Sequence, residues 1–185
     1  MFQKLKEIRI VGVDDGRFKK NYRKTLLLAV LMKDYKIIDV RITDILVDGL
    51  DSTEAIQEML SDVQFDIVML SGISFAGFNV VDIHYLNKKL RKPIIVITGD
   101  KPSSREILRA LKLHFQDWKT RWSFIAKAGK IYRTTINKRY KPIFYEVIGM
   151  DYREAREIIR EMAIIGRYPE PIRIVRLIAK RLTTH

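Results

Sequence analysis

Apolar residues along this chain fall into short runs separated by polar, glycine-bearing or proline-bearing breaks, and the runs switch between two periods. Ile8 to Val13 is a compact apolar run that ends on Asp14-Asp15-Gly16 and predicts a first strand. Thr25 to Met32 is continuously apolar, as a strand buried on both faces would be. Tyr35 to Val47 alternates through Ile38, Val40 and Ile42, then slips near Thr43 and Asp44 before Ile45 and Val47, which predicts a bulge there. The short connections between these runs predict an antiparallel meander. Asp51-Ser52-Thr53-Glu54 has the form of a helix cap, followed by the apolar stripe Ala55, Ile56, Met59 and Leu60. Asp66 to Leu70 then reads as a short buried strand, Ser71-Gly72 as a turn, Val80 to Leu90 as a second helix, and Pro93 to Thr98 as a fifth strand.

Ser103 to Glu106 repeats the cap signature ahead of one long amphipathic helix carrying Ile107, Leu108, Leu111, Phe115, Trp118, Trp122 and Ile125. Gly129 stops it. Lys130 to Ile136 and Pro142 to Ile148 read as a terminal strand or hairpin, and Asp151 caps a helix to about Ile165. Pro169-Glu170-Pro171 breaks that helix, and Ile172 to Leu182 forms a last, basic one. Three antiparallel strands followed by helix, strand, helix and strand is the order of the ribonuclease H-like α/β fold. Its mixed five-stranded sheet, meander first and parallel strands after, is flanked by helices. The length of 185 residues suits one domain spanning 1–185.

Composition narrows the function. With no cysteine, disulfides, thiolate metal sites and cysteine nucleophiles are excluded. No apolar run reaches transmembrane length and no leader pattern opens the chain, so a cytoplasmic protein without membrane contact is expected. The formal net charge of +13 makes nucleic acid the expected partner, against the alternative of a merely solvated basic surface. The cations are grouped: Arg17, Lys19, Lys20, Arg23 and Lys24; Lys88, Lys89, Arg91 and Lys92; a span from Lys127 to Lys141; and Arg173, Arg176, Lys180 and Arg181.

Two adjacent carboxylates at the tip of a buried strand form either a turn or the start of a metal site. Asp48-Gly49 has the same two readings. Ala76-Gly77-Phe78-Asn79, following Gly72, is either a tight helix-entry loop or an amide-rich seat for a phosphate. His84, His114 and His185 show no ligand spacing. Trp118 and Trp122, at i and i+4, read as core.

Gly12 to Gly16, Val47-Asp48-Gly49-Leu50-Asp51, Ser74 to Asp82 and Pro169 to Arg173 occur in this order. Together they resemble an uncharacterised, largely archaeal family, domain of unknown function ninety-nine, over essentially the whole chain. That family is similar to endonuclease V, a metal-dependent nuclease acting on deaminated purines. The resemblance implies a ribonuclease H-like fold and a metal site in which Asp14 and Asp48 serve as catalytic residues and as ligands of Mg²⁺ or Mn²⁺, with Asp51 a rival to Asp48. It also puts Ser71 where the nuclease carries its fourth-strand aspartate. Gly77, Phe78 and Asn79 stand in place of the nuclease's histidine and arginine, and Lys101 lies just beyond the position of its lysine. Arg17, Lys19, Lys20, Arg23, Lys24 and Lys101 are the expected nucleic-acid contacts. The alternative is a platform without catalysis, a nucleic-acid or ribonucleoprotein binding module; a third reading is a partner-binding protein.

Overall fold

The computed structural model describes residues 7–19 and 21–183; Lys20 and His185 lie outside the described residues. The first apolar runs form β1 (Arg9–Asp15), β2 (Lys24–Lys33) and β3 (Lys36–Leu46), an antiparallel meander. Strands β4 (Ile67–Leu70) and β7 (Ile94–Thr98) extend it in parallel with β1. A separate two-stranded hairpin, β5 (Ser74–Phe75) and β6 (Asn79–Val80), lies between them in sequence.

The sheet does not stop at five strands. The hairpin of β8 (Tyr132–Thr134) and β9 (Ile143–Ile148) adds antiparallel to β7, giving the order β3-β2-β1-β4-β7-β9-β8. The bulge also lies elsewhere. Register between β2 and β3 shifts between Leu31 and Met32, where Asp39 and Ile37 pair across and Ile38 is the extra residue. Thr43 and Asp44 sit in regular register.

Six helices lie among the described residues: α1 (Ser52–Met59), α2 (Ile83–Leu90), α3 (Ser104–His114), α4 (Trp118–Lys127), α5 (Tyr152–Glu161) and α6 (Glu170–Leu182). The long helix expected from Ser103 to Ile125 is therefore two. Phe115 is extended (φ −130°, ψ 127°), and Asp117 opens a second helix in which Arg121, not a tryptophan, is the buried residue. Trp118 and Trp122 are half-buried. The second helix starts at Ile83 because Asn79 and Val80 pair with Phe75 and Ser74; Asp82 caps it, accepting from the amides of His84 and Tyr85. No helix among the described residues is long and apolar enough to cross a membrane.

Alternation along β1 sorts the core into two sides. Val11 and Val13 pack with Ile56 of α1 and with Ile83 and Leu86 of α2. Ile10 points the other way, against Ile158, Ile159 and Ile172. Leu28, Val30 and Met32 of β2 meet Val175 and Ala179 of α6. The helix α6 thus lies over β1 and β2, and it lies very close. A Cβ placed on Gly12 would sit 2.3 Å from the carbonyl oxygen of Pro171.

Substituting Gly12→Ala forces backbone apart rather than a side chain aside, so it destabilises by at least about 1–3 kcal/mol, read as a lower urea midpoint. A second expectation concerns Glu146, buried on β9 with 7% exposure. Burial alone pushes its carboxyl from 4.5 up to about 7. The folded chain holds that proton more tightly, so the contribution is complete below about pH 4.5 and is lost as pH rises through about 7. Glu146→Gln therefore raises the melting temperature at pH 8 and leaves it nearly unchanged at pH 4; equal gains at both would contradict this assignment.

Candidate active site

The parallel strands β1 and β4 end side by side, and the amide of Ser71 donates to the carbonyl of Val13 across them (3.0 Å). Asp14 and Ser71 are therefore neighbours on the face covered by α6. Arg176 of α6 donates from Nε to the Ser71 hydroxyl (2.7 Å), and that hydroxyl is hydrogen-bonded to the Asp14 carboxylate. The result is a chain from guanidinium to hydroxyl to carboxylate. Tyr168 supports it by stacking its ring 4.2 Å from the Arg176 guanidinium.

Burial dominates the electrostatics of Asp14 and pushes its carboxyl up to about 7, with the Asp15 charge adding to the rise. The Ser71 hydroxyl and the Arg176 charge act in the opposite direction and do not cancel it. Burial also raises Asp15, against the pull of its hydrogen bond from the Ala76 amide.

A groove of about 530 Å³ opens over these groups, lined by Asp14, Asp15, Gly16, Arg17, Phe18, Arg176 and Lys180. Three cations thus face two carboxylates. The turn leaving β1 is pinned at its start: the Gly16 amide donates to the Leu26 carbonyl (2.8 Å) and the Arg17 amide to the Thr183 hydroxyl (2.8 Å). Of the other expected nucleic-acid contacts, Lys19 and Arg23 are exposed on the β1–β2 connection, Lys24 is exposed at the start of β2, and Lys101 is exposed after β7. Arg173 is not a groove cation, because it pairs with the buried Glu170 at 2.6 Å.

The structure gives Asp48 a different setting from Asp14. Asp48 sits at φ 56°, and its Oδ1 accepts from the Phe78 amide (2.8 Å). Gly77, at φ 88°, lies so close that a Cβ there would come within 2.3 Å of the same oxygen. Asp15 holds the other end of this loop, accepting from the Ala76 amide at 2.6 Å. Two carboxylates therefore already take the Ala76 and Phe78 amides, two of those a phosphate seat would use. The loop itself is the tip of the β5–β6 hairpin rather than a helix entry, with Gly72 (φ 125°) at its approach.

Asp51 does not cap α1 through its side chain. Its carboxylate accepts from the Leu46 amide (3.1 Å) and from Asn79 Nδ2 (2.5 Å). Asn79, fully buried, also accepts from the Ser52 amide at 3.0 Å. Arg121 completes the fastening: it is bidentate to Asp117 and donates to the carbonyls of Gly49 (2.8 Å) and Phe78 (2.6 Å). Nothing in the sequence singled this arginine out. Arg176 did carry a signal, since it belongs to the basic spacing Arg173, Arg176 and Lys180.

A hard divalent ion requires several acidic oxygen ligands converging on one point. Among the described residues no group of three or more aspartates, glutamates or histidines could hold one. With Ser71 neutral, Asp48 and Asp51 spent on amides, and a guanidinium beside Asp14, the donor set does not fit a paired-ion site. His84 is likewise occupied, its Nε2 lying 2.6 Å from the Lys127 carbonyl.

Known proteins place this architecture. A UPF0215 protein of Thermococcus sibiricus is 39% identical over 97% of this chain and 94% of its own length. A UPF0215 protein of Methanothermobacter thermautotrophicus is 37% identical over 98% of this chain and 91% of its own. Among solved structures, a protein of unknown function from Archaeoglobus fulgidus superposes with a TM-score of 0.86 at 27% identity, covering 97% of this chain and 100% of that one. Endonuclease V of Ciona intestinalis, in complex with an inosine-containing DNA, superposes with a TM-score of 0.61 at 14% identity, covering 95% and 85%. Argonaute of Aquifex aeolicus follows at 0.58 and 12%, covering 96% of this chain and 29% of that one. The fold is ribonuclease H-like, as the order of strands predicted. The Endonuclease dU family profile matches residues 6–183, and the chain belongs to that family.

Proposed function

We propose that this protein is an endonuclease that engages nucleic acid along the groove at the end of β1 and cleaves its backbone beside a deaminated base, with deoxyuridine the first substrate to test. The observation that carries the reading is one carboxylate, Asp14, held near 7 in a groove walled by Arg17, Arg176 and Lys180. The family description and the endonuclease V fold support it. The guanidinium groups are suited to the non-bridging oxygens of a phosphodiester, bidentate and always charged. A carboxylate titrating near neutral pH is suited to take a proton from an attacking water, since a general base works best with its value near the working pH. Ser71 and Arg176 orient that carboxylate and stabilise its charged form. Asp48 and Asp15 hold the Ala76–Phe78 loop, and no step is assigned to them.

The competing reading, binding without cleavage, is favoured by the neutral Ser71 at the end of β4. Incubation with duplexes that differ only in one deoxyuridine or inosine separates the two. The expected result is cleavage next to the modified base, lost in Asp14→Asn by at least about 100-fold, the scale of a general base. Its rate rises with pH and levels off above about 7, because the ionised carboxylate is the active form. Tight binding with no cleavage at any pH supports the binding module instead. Cleavage abolished by EDTA and restored by Mn²⁺ would overturn the assignment of the proton transfer to Asp14 alone.

Binding itself has a salt signature. If Arg17 contacts a phosphate, Arg17→Ala flattens the dependence of log affinity on log salt by about 0.9. An unchanged slope removes Arg17 from the interface.

A further inference from the structure

The outer edge of the sheet carries a row of aliphatic side chains that the fold leaves uncovered. Strand β3 ends the strand order, and no other strand among the described residues pairs with its far side. Ile38, Val40 and Ile42 are 56%, 37% and 49% exposed. Val40 and Ile42 share one face of the strand, since Val40 pairs with Val30 and Ile42 with Leu28, residues packed beneath α6; Ile38 is the bulged residue that precedes them. On that helix Ile174, Ile178 and Leu182, spaced by four, continue the apolar surface; Ile174 and Ile178 are only half-buried and Leu182 is exposed.

The outward backbone groups of this edge follow a defined phase. The amide of Leu46 turns away from β2 to meet Asp51, and the amide of Val40 turns away to meet the carboxylate of its own neighbour Asp39 (2.8 Å). Register with β2 is unbroken between these two positions. The even-numbered residues from Val40 to Leu46 therefore present their N–H and C=O groups outward.

We propose that β3 pairs with β3 of a second copy of this chain, antiparallel about a two-fold axis through Val40, joining two sheets into one. In that register Val40 faces the partner's Val40 and Asp39 faces the partner's Arg41, and the bulge at Ile38 bounds the regular ladder at each end. Each of these contacts is favourable, and the surface is complementary to itself as an isologous interface must be. Neighbouring registers are not. An axis at Asp39 sets two carboxylates opposite one another, and an axis at Arg41 sets two guanidiniums opposite one another.

Arg41 is already aligned for the exchange, lying 2.6 Å from Asp39 and 3.1 Å from Asp62 within one chain. Nucleic acid is a poor occupant, because the row is apolar and bordered by Asp39, Asp44 and Asp62. Pairing leaves the groove open, since Arg176 projects from the flank of α6 turned toward β4.

Light scattering on the full chain at micromolar concentration tests this. The expected mass is twice the 21.8 kDa of the chain. Val40→Pro, which removes an outward amide and leaves the β2 ladder intact, halves it with an unchanged circular dichroism spectrum. Asp39→Arg and Arg41→Asp each dissociate the dimer, and the two together restore it, which a variant that merely misfolds cannot do. A monomeric wild type, a dimer surviving Val40→Pro, or a double exchange that stays monomeric overturns the proposal.

Discussion

The contact between Gly12 and Pro171 governs where everything else on this face of the sheet can be. Only a residue without a side chain lets the first turn of α6 rest its backbone on the middle of β1. Ile10 and Asp14, two residues either way from Gly12, then fall under the helix and beside its next turn. Arg176, five residues beyond Pro171, reaches the end of β4 and bonds Ser71. A wider spacing between α6 and β1 would leave Ser71 without its guanidinium and would leave Asp14 more hydrated. The raised titration of Asp14 is thus a consequence of packing, transmitted through one missing Cβ.

That packing sets two effects against each other at Asp14. Burial disfavours the carboxylate, while the Ser71 hydroxyl and the Arg176 charge favour it, and burial prevails. A second carboxylate at the end of β4 would add repulsion to the same side of the balance. Ser71 removes that repulsion from the β4 side and leaves Asp14 with only the Asp15 charge against it, a balance the neighbouring arginine tempers. The site is better described as one tuned carboxyl than as a defective cluster of several.

The order of strands and the switch from meander to parallel pairing were legible because each rests on local periodicity and loop length. Asp14 was legible for the same reason, as the polar end of an apolar run. What was not legible depended on long-range partners. Asp48 looks like a ligand in sequence, and only the fold shows its carboxylate meeting an amide thirty residues away. Arg121 spaces like any amphipathic helix residue, yet it is buried to hold two carbonyls from distant loops. The break at Phe115 escaped because the apolar spacing continues through it. The β8–β9 hairpin was visible as strands, but not its attachment to β7.

Asp15, Asp48 and Asp51 gather near one end of the sheet, where each is engaged by a loop. Each accepts at least one backbone amide of a loop: Ala76, Phe78 and Leu46 respectively. These hydrogen bonds to charged acceptors are stronger than neutral ones, and they leave fewer lone pairs for a metal. Their joint effect is to fix the β5–β6 hairpin against the ends of β1 and β3, with Asn79 and Arg121 as the remaining fastenings. Asp15 links this hairpin to the groove, because it both lines the groove and anchors the loop. Asp14, whose carboxylate is hydrogen-bonded to the Ser71 hydroxyl rather than to a loop amide, faces the groove on the side of α6. The division of labour between two adjacent aspartates therefore follows from strand alternation: one points to the loop, the other to α6.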